Sequence, residues 1–117
     1  MTQTQPPSPF DLIRELSPDV AAKFIELRGA ACAAGPIDEI TRELILISSF
    51  ASAGLEEGFK NHARGLLEKG VSKTTLQHAV VIPLGATMLF LRAVDALRWI
   101  EDVSPQVQSQ NATPVGT

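Results

Sequence analysis

The stretch LEEGFKNHARGLLEKG, residues 55–70, is typical of an amphipathic helix with one polar residue on its apolar face. Its apolar side chains recur at the three- and four-residue spacing of a buried helical stripe. They are Leu55, Phe59, Leu66 and Leu67. His62 lies on the same stripe, where the pattern calls for an aliphatic residue. Such a histidine is either a core residue whose ring nitrogens are satisfied or a residue that takes part in chemistry.

Helical spacing continues on both sides of this stretch, and no alternating pattern of a β-strand persists anywhere in the chain. Residues that commonly cap helices predict N-termini at four positions, Ser8, Ser17, Asp38 and Ser72. Gly35-Pro36 is expected to end the second helix, and Pro83 to kink or break the chain before the last one. The sequence therefore predicts an all-α protein, a compact bundle of about six helices.

Three further apolar stripes are predicted to face the core of this bundle. In the second helix the stripe is Val20, Phe24, Leu27, Ala31 and Ala34. In the third helix it is Ile37, Ile40, Leu44, Ile47 and Ala51, widened by Ile45 and Phe50. In the last helix it is Ala86, Phe90, Ala93, Leu97 and Ile100.

The two ends of the chain differ from its middle. Residues 1–7 and 104–117 are rich in Pro, Gln, Ser and Thr and lack a periodic apolar face, so we expect flexible tails around a single helical domain, residues 8–103. A domain of this size buries only about two-thirds of the surface that its unfolded chain exposes. The run from Ala79 to Leu91 is apolar on every face, which favours a homo-oligomer.

Composition excludes several classes of function. The net charge is −3 and lysine and arginine do not cluster, so we expect no nucleic-acid partner. The N-terminal residues lack a secretory signal, and the apolar run from Ala79 is too short to span a bilayer, which favours a cytoplasmic protein without a membrane partner. Cys32 is the single cysteine and lies among alanines, so we interpret it as a structural residue.

Glu43 is a second polar residue on an apolar stripe, since its neighbours on the same helical face are Ile40, Ile47 and Phe50. It either reaches solvent or pairs with a neighbour such as Arg42 or Arg64, or else it meets His62 across a short connection between consecutive helices. In the last case the carboxylate would orient the imidazole and favour its protonated form. That arrangement prepares a histidine for general acid and base chemistry.

Three segments carry a resemblance to a known family. They are TRELI from Thr41 to Ile45, HARGLLEKGVS from His62 to Ser72, and the closing ALRWIED. The whole run from Gly35 to Asp102 resembles the carboxymuconolactone decarboxylase family, which also holds the alkylhydroperoxidase D-like proteins. The resemblance implies the alkylhydroperoxidase D-like fold and assembly into a trimer or a hexamer.

In the redox branch of that family, a glutamate is followed after eleven residues by C-x-x-C-x-x-x-H. Glu43 and His62 keep the nineteen-residue separation of this pattern, but Leu55 and Gly58 stand in place of the two cysteines. Thiolate chemistry is impossible without them. The resemblance therefore implies the cysteine-free decarboxylase branch.

The first hypothesis for function is cofactor-free decarboxylation, or lactone or enol proton transfer, on a small carboxylated substrate. His62 is the predicted acid and Glu43 its orienting partner, while Arg42 or Arg64 is a candidate for gripping a substrate carboxylate. His78 either lines a pocket or is exposed at a helix end. We expect no metal site.

Two other functions remain open from the sequence. One is a non-catalytic oligomeric binding or scaffold protein with the same fold. The other, less favoured, is a peroxidase-type redox enzyme in which Cys32 acts with another thiol.

Overall fold

The computed structural model describes residues 6–104, and within them it contains six α-helices and no strand. The helices are α1 Pro9–Leu16, α2 Pro18–Cys32, α3 Glu39–Ala53, α4 Glu56–Glu68, α5 Lys73–Val81 and α6 Phe90–Val103. The predicted all-α class and the number of helices are confirmed. None of these helices combines the length and the apolar content that a bilayer span requires.

All four predicted N-caps are present. Each cap side chain accepts a hydrogen bond from a backbone N–H in the first turn, as Ser8 does from Asp11 and Asp38 from Thr41. Gly54 ends α3 in the left-handed conformation, with φ of 75°, which a residue without a Cβ adopts at little cost. Because only two residues join α3 to α4, these helices are neighbours in space.

The described residues divide into two units, 6–36 and 37–104. The prediction of one domain over residues 8–103 stays a prediction. The predicted tails, 1–7 and 104–117, lie almost wholly outside the described residues. Ser104 is the exception at the C-terminal end, since it is buried and its hydroxyl donates a hydrogen bond to the carbonyl of Ile100 at 2.8 Å.

In the first unit, α1 and α2 contact each other through the rings of Phe10 and Phe24, whose centroids lie 5.6 Å apart. The stripe predicted for α2 is wrong, because all five of its residues are exposed and the buried residue of the helix is Ala21. A pair of helices with 8 and 15 residues cannot enclose an apolar stripe of that length by itself.

The second unit holds most of the buried apolar side chains. Its core consists of Ile47, Ala51, Phe59, Ala63, Leu66, Leu76, Val80, Met88, Ala93, Ala96 and Ile100. The ring of Trp99 on α6 packs on Phe59 of α4, with centroids 5.5 Å apart. The stripes predicted for α3 and α4 are confirmed in the helix interiors, whereas Ile37, Ile45 and Leu55 are about half exposed.

The start of the last helix was placed too early by the sequence pattern. The carbonyl of Pro83 accepts hydrogen bonds from the N–H groups of Ala86, Thr87 and Met88, which closes a tight turn in place of a helical one. Consequently α6 begins at Phe90. Ala86 therefore lies outside α6 and is exposed, and Phe90 is 67% exposed.

Candidate functional site

Glu43 and His62 meet between α3 and α4. Their contact joins His62 Nδ1 to Glu43 Oε1 at 2.5 Å, with the ring nitrogen donating and the carboxylate accepting. Two other contacts link the same helices, from Glu39 to Lys69 and from Phe50 to Gly58. Because residue numbers rise along α3 while those of their partners fall along α4, the helices are antiparallel.

The pair is partly open to solvent. The side chain of Glu43 is 16% exposed and that of His62 is 32% exposed. Within residues 6–104, Nε2 of His62 has no hydrogen-bond partner. A carboxylate bound to Nδ1 selects the neutral ring that carries its proton on Nδ1, so Nε2 is the nitrogen left for accepting or donating a proton.

Phe50 packs on the imidazole of His62, with ring centroids 5.3 Å apart and planes inclined by 31°. The same phenyl ring lies over Gly58. A Cβ atom built on Gly58 would come within 2.5 Å of Phe50 Cε1 and within 2.9 Å of Cδ1. Any side chain at this position, a cysteine included, would require the Phe50 ring to move.

Arg42 lies beside the carboxylate of Glu43. Its Nε is 3.8 Å from Glu43 Oε2, and its Nη2 is 4.0 Å from Glu39 Oε2. Nε is buried and has no hydrogen-bond partner in the described part of the chain. Glu39 in turn accepts a hydrogen bond of 2.7 Å from Lys69, which lowers the pKa of the Glu39 carboxyl. Charges therefore alternate from Lys69 through Glu39 and Arg42 to Glu43.

The other two candidate substrate-binding residues lie elsewhere. Arg64 is exposed on α4 and donates a hydrogen bond of 3.1 Å to Asn61. It lines an open polar cavity of about 460 Å³ together with Glu56, Glu57, Lys60 and Asn61. His78 is exposed on α5. Among residues 6–104, no hydrogen bond or ion pair joins either side chain to Glu43 or His62, and their proposed binding roles stay predictions.

Cys32 is partly buried at the end of α2, with its Sγ atom 3.7 Å from Arg28 Nη2. The described residues contain no group of three or more His, Cys, Asp and Glu side chains that could hold a metal ion.

Sequence reasoning singled out Glu43 and His62 but missed Phe50 as part of the site. The available signal was Gly58, since a glycine inside a helical pattern often marks a close approach of another group. Nothing in the sequence indicates that Nε of Arg42 is buried, because a charged residue beside a glutamate is common on any helix.

Comparison with known families agrees with the resemblance found in the sequence. Residues 18–102 match the carboxymuconolactone decarboxylase family. The chain therefore belongs to that family. No curated protein and no solved structure matched the chain.

Proposed function

We propose that this protein is a cofactor-free enzyme that decarboxylates a small carboxylated lactone, with His62 as the general acid and Glu43 as its orienting base. The hydrogen bond between Glu43 and His62, in a position that solvent can reach, is the observation that supports this proposal most directly. Membership of the carboxymuconolactone decarboxylase family supports the substrate class. A cytoplasmic location belongs to the same proposal and rests on the sequence alone.

The reaction begins when the bond between the ring carbon and the substrate carboxylate breaks. Carbon dioxide leaves, and the electron pair of the broken bond enters the ring as an extended dienolate. The protonated imidazole of His62 then gives the proton on Nε2 to a ring carbon, which neutralises the dienolate. The imidazole becomes the neutral ring with its proton on Nδ1, and a proton from solvent recharges it.

Glu43 holds the proton on Nδ1 throughout this cycle, so only Nε2 exchanges protons with the substrate. Arg42 Nε lies 3.8 Å from the other oxygen of the same carboxylate.

The competing function is a non-catalytic oligomeric scaffold or binding protein. It is favoured by the apolar side chains that stay exposed around the connection from α5 to α6, such as Leu89 at 76% and Leu91 at 70%. A redox enzyme is the least favoured alternative, because Leu55 and Gly58 carry no thiol.

Turnover of carboxymuconolactone and related carboxylated lactones, measured as released carbon dioxide, tests the proposal. We expect His62→Gln to lower kcat by about a hundredfold to ten-thousandfold, the usual contribution of a general acid. Glu43→Gln should lower kcat less, and the double variant should lose little more than His62→Gln, because residues that act as one unit are not additive.

Glu68→Gln is the matched control, since it removes an exposed carboxylate from the same helix pair. It should leave turnover unchanged. If the His62→Gln variant folds and turns over substrate as fast as the wild type, His62 is not the general acid. If wild-type protein released no carbon dioxide from any of these lactones, the scaffold alternative would be favoured.

A further inference from the structure

The phenyl ring of Phe50 on α3 contacts two residues of α4, the helix that carries the candidate acid. One is the imidazole of His62, at 5.3 Å between centroids. The other is the bare backbone of Gly58, four residues before His62 on α4, where a Cβ would fall 2.5 to 2.9 Å from three ring atoms. The ring therefore occupies a notch that exists only because residue 58 has no side chain.

The hydrogen bond that His62 donates to Glu43 does not by itself fix the orientation of the imidazole. The second side-chain torsion of histidine has a broad energy minimum, and a glutamate carboxylate can follow a rotating ring through its own torsions. A flat group packed on the imidazole removes that freedom, because rotation of the ring would drive it into the phenyl edge. Phe50 is the aromatic group in that place.

We propose that Phe50 is the positioning residue of His62. Seated in the notch at Gly58, it holds the imidazole with Nδ1 toward Glu43 and shields one face of the ring. This role rests on the proposed function in so far as His62 is the acid, but it concerns the orientation of the ring and does not require a known substrate.

Three substitutions separate this role from ordinary packing. Phe50→Leu removes the aromatic ring and keeps an apolar side chain. Gly58→Ala places a methyl group in the notch and forces the ring to leave it. Gly65→Ala is the matched control, since it adds the same methyl group to the same helix and has no atom within 4 Å of the new Cβ.

The first readout is the rate at which diethyl pyrocarbonate acylates His62, mapped by peptide mass spectrometry. The chain has two histidines, and the exposed His78 serves as the reference within the same molecule. We expect Phe50→Leu and Gly58→Ala to raise the ratio of His62 to His78 acylation by about twofold to tenfold, the factor that corresponds to loss of one aromatic pair. Gly65→Ala should leave the ratio unchanged.

The second readout is the tautomer of neutral His62, taken from the nitrogen chemical shifts of the imidazole. In the wild type and in Gly65→Ala we expect the form with its proton on Nδ1. In Phe50→Leu and Gly58→Ala a mixture of both tautomers should appear. A residue that only filled space would alter melting temperature without changing this tautomer.

If Gly58→Ala folds poorly, the double variant Phe50→Leu/Gly58→Ala replaces it. The smaller side chain makes room for the methyl group, so the double variant should fold and still show the raised acylation ratio. An unchanged ratio and an unchanged tautomer in Phe50→Leu would overturn the positioning role. That outcome is independent of turnover by His62→Gln, so failure here and failure of the proposed function can be told apart.

Discussion

Gly58 and Gly65 lie on the same helix but have different surroundings. The Cβ of an alanine at position 65 would meet no atom within 4 Å, whereas at position 58 it would meet the ring of Phe50. Replacing a helical glycine by alanine stabilises the folded state by about 0.5–1 kcal/mol where space allows.

We therefore predict that Gly65→Ala raises the free energy of unfolding by about 0.5–1 kcal/mol. Gly58→Ala should lose that gain, since forcing a side chain out of a packed position costs about 1–3 kcal/mol. Urea denaturation of the two variants and the wild type measures the difference. Equal stabilisation by both substitutions would mean that the ring of Phe50 leaves the notch without cost.

At the residue scale, the sequence predicted the site residues that stand out by their spacing along a helix. It did not predict those whose role depends on how side chains pack between helices. Glu43 and His62 stand out because each is a polar residue on an apolar stripe. The role of Phe50 depends on the close approach of α3 to α4 at Gly58. The spacing of residues along the sequence does not predict the distance between two helices. Arg42 was found, but the burial of its Nε atom depends on tertiary packing, which no residue spacing predicts.

At the scale of single helices, Asp38 sets the N-terminus of α3 and so the position of Glu43. Its carboxylate accepts hydrogen bonds from the hydroxyl and the backbone N–H of Thr41, at 2.7 and 3.2 Å. These bonds hold the pKa of Asp38 below its ordinary value of 3.8. A carboxyl with a lower pKa in the folded state stabilises the fold above its unfolded pKa. That contribution is lost as the pH falls through the folded value.

We predict that Asp38→Ala lowers the melting temperature at neutral pH, because α3 loses its cap. The gap between Asp38→Ala and the wild type should narrow as the pH falls below 3.8, since the protonated Asp38 is itself a weaker cap. Thermal unfolding followed by circular dichroism across this pH range measures the gap. Asp38→Asn is the control, because asparagine caps helices but does not titrate. If the difference in melting temperature between Asp38→Ala and the wild type stayed constant down to strongly acidic pH, the ionised carboxylate of Asp38 would not be the cap of α3.

Helix starts were predictable because a cap depends on residues three positions apart. Ser8, Ser17, Asp38 and Ser72 all follow this local rule. The start of α6 was not predictable in this way. The apolar pattern continues through Ala86, whereas three backbone N–H groups donate hydrogen bonds to the carbonyl of Pro83 and form a turn there. The stripe of α2 failed for another reason, since periodicity shows which side is apolar but not whether anything covers it.

At the scale of the whole molecule, the connection between α5 and α6 and the first turn of α6 leave large apolar side chains in contact with water. Ile82 is 66% exposed, Leu89 76%, Phe90 67% and Leu91 70%. Exposed apolar side chains of this size commonly mark a site of protein association. We propose a second copy of this chain as the partner, in keeping with the trimer or hexamer that the family resemblance implies.

We predict that light scattering at micromolar concentration gives a mass at least twice the 12.5 kDa of one chain. The double variant Phe90→Glu/Leu91→Glu should shift the mass toward the monomer, because burying two carboxylates in an apolar contact is costly. Thr74→Glu, which places one such charge at an exposed polar residue of α5, should leave the mass unchanged. A stable wild-type monomer would contradict self-association through this surface.

The contact of Trp99 with Phe59 gives the protein a single optical reporter. The chain contains one tryptophan and no tyrosine, so its ultraviolet emission comes almost entirely from Trp99. That indole packs on Phe59, which lies three residues before His62 on α4. A ligand that shifts α4 when it approaches His62 will change the indole's surroundings. Fluorescence of the unlabelled protein can therefore be used to follow the binding of a ligand near His62.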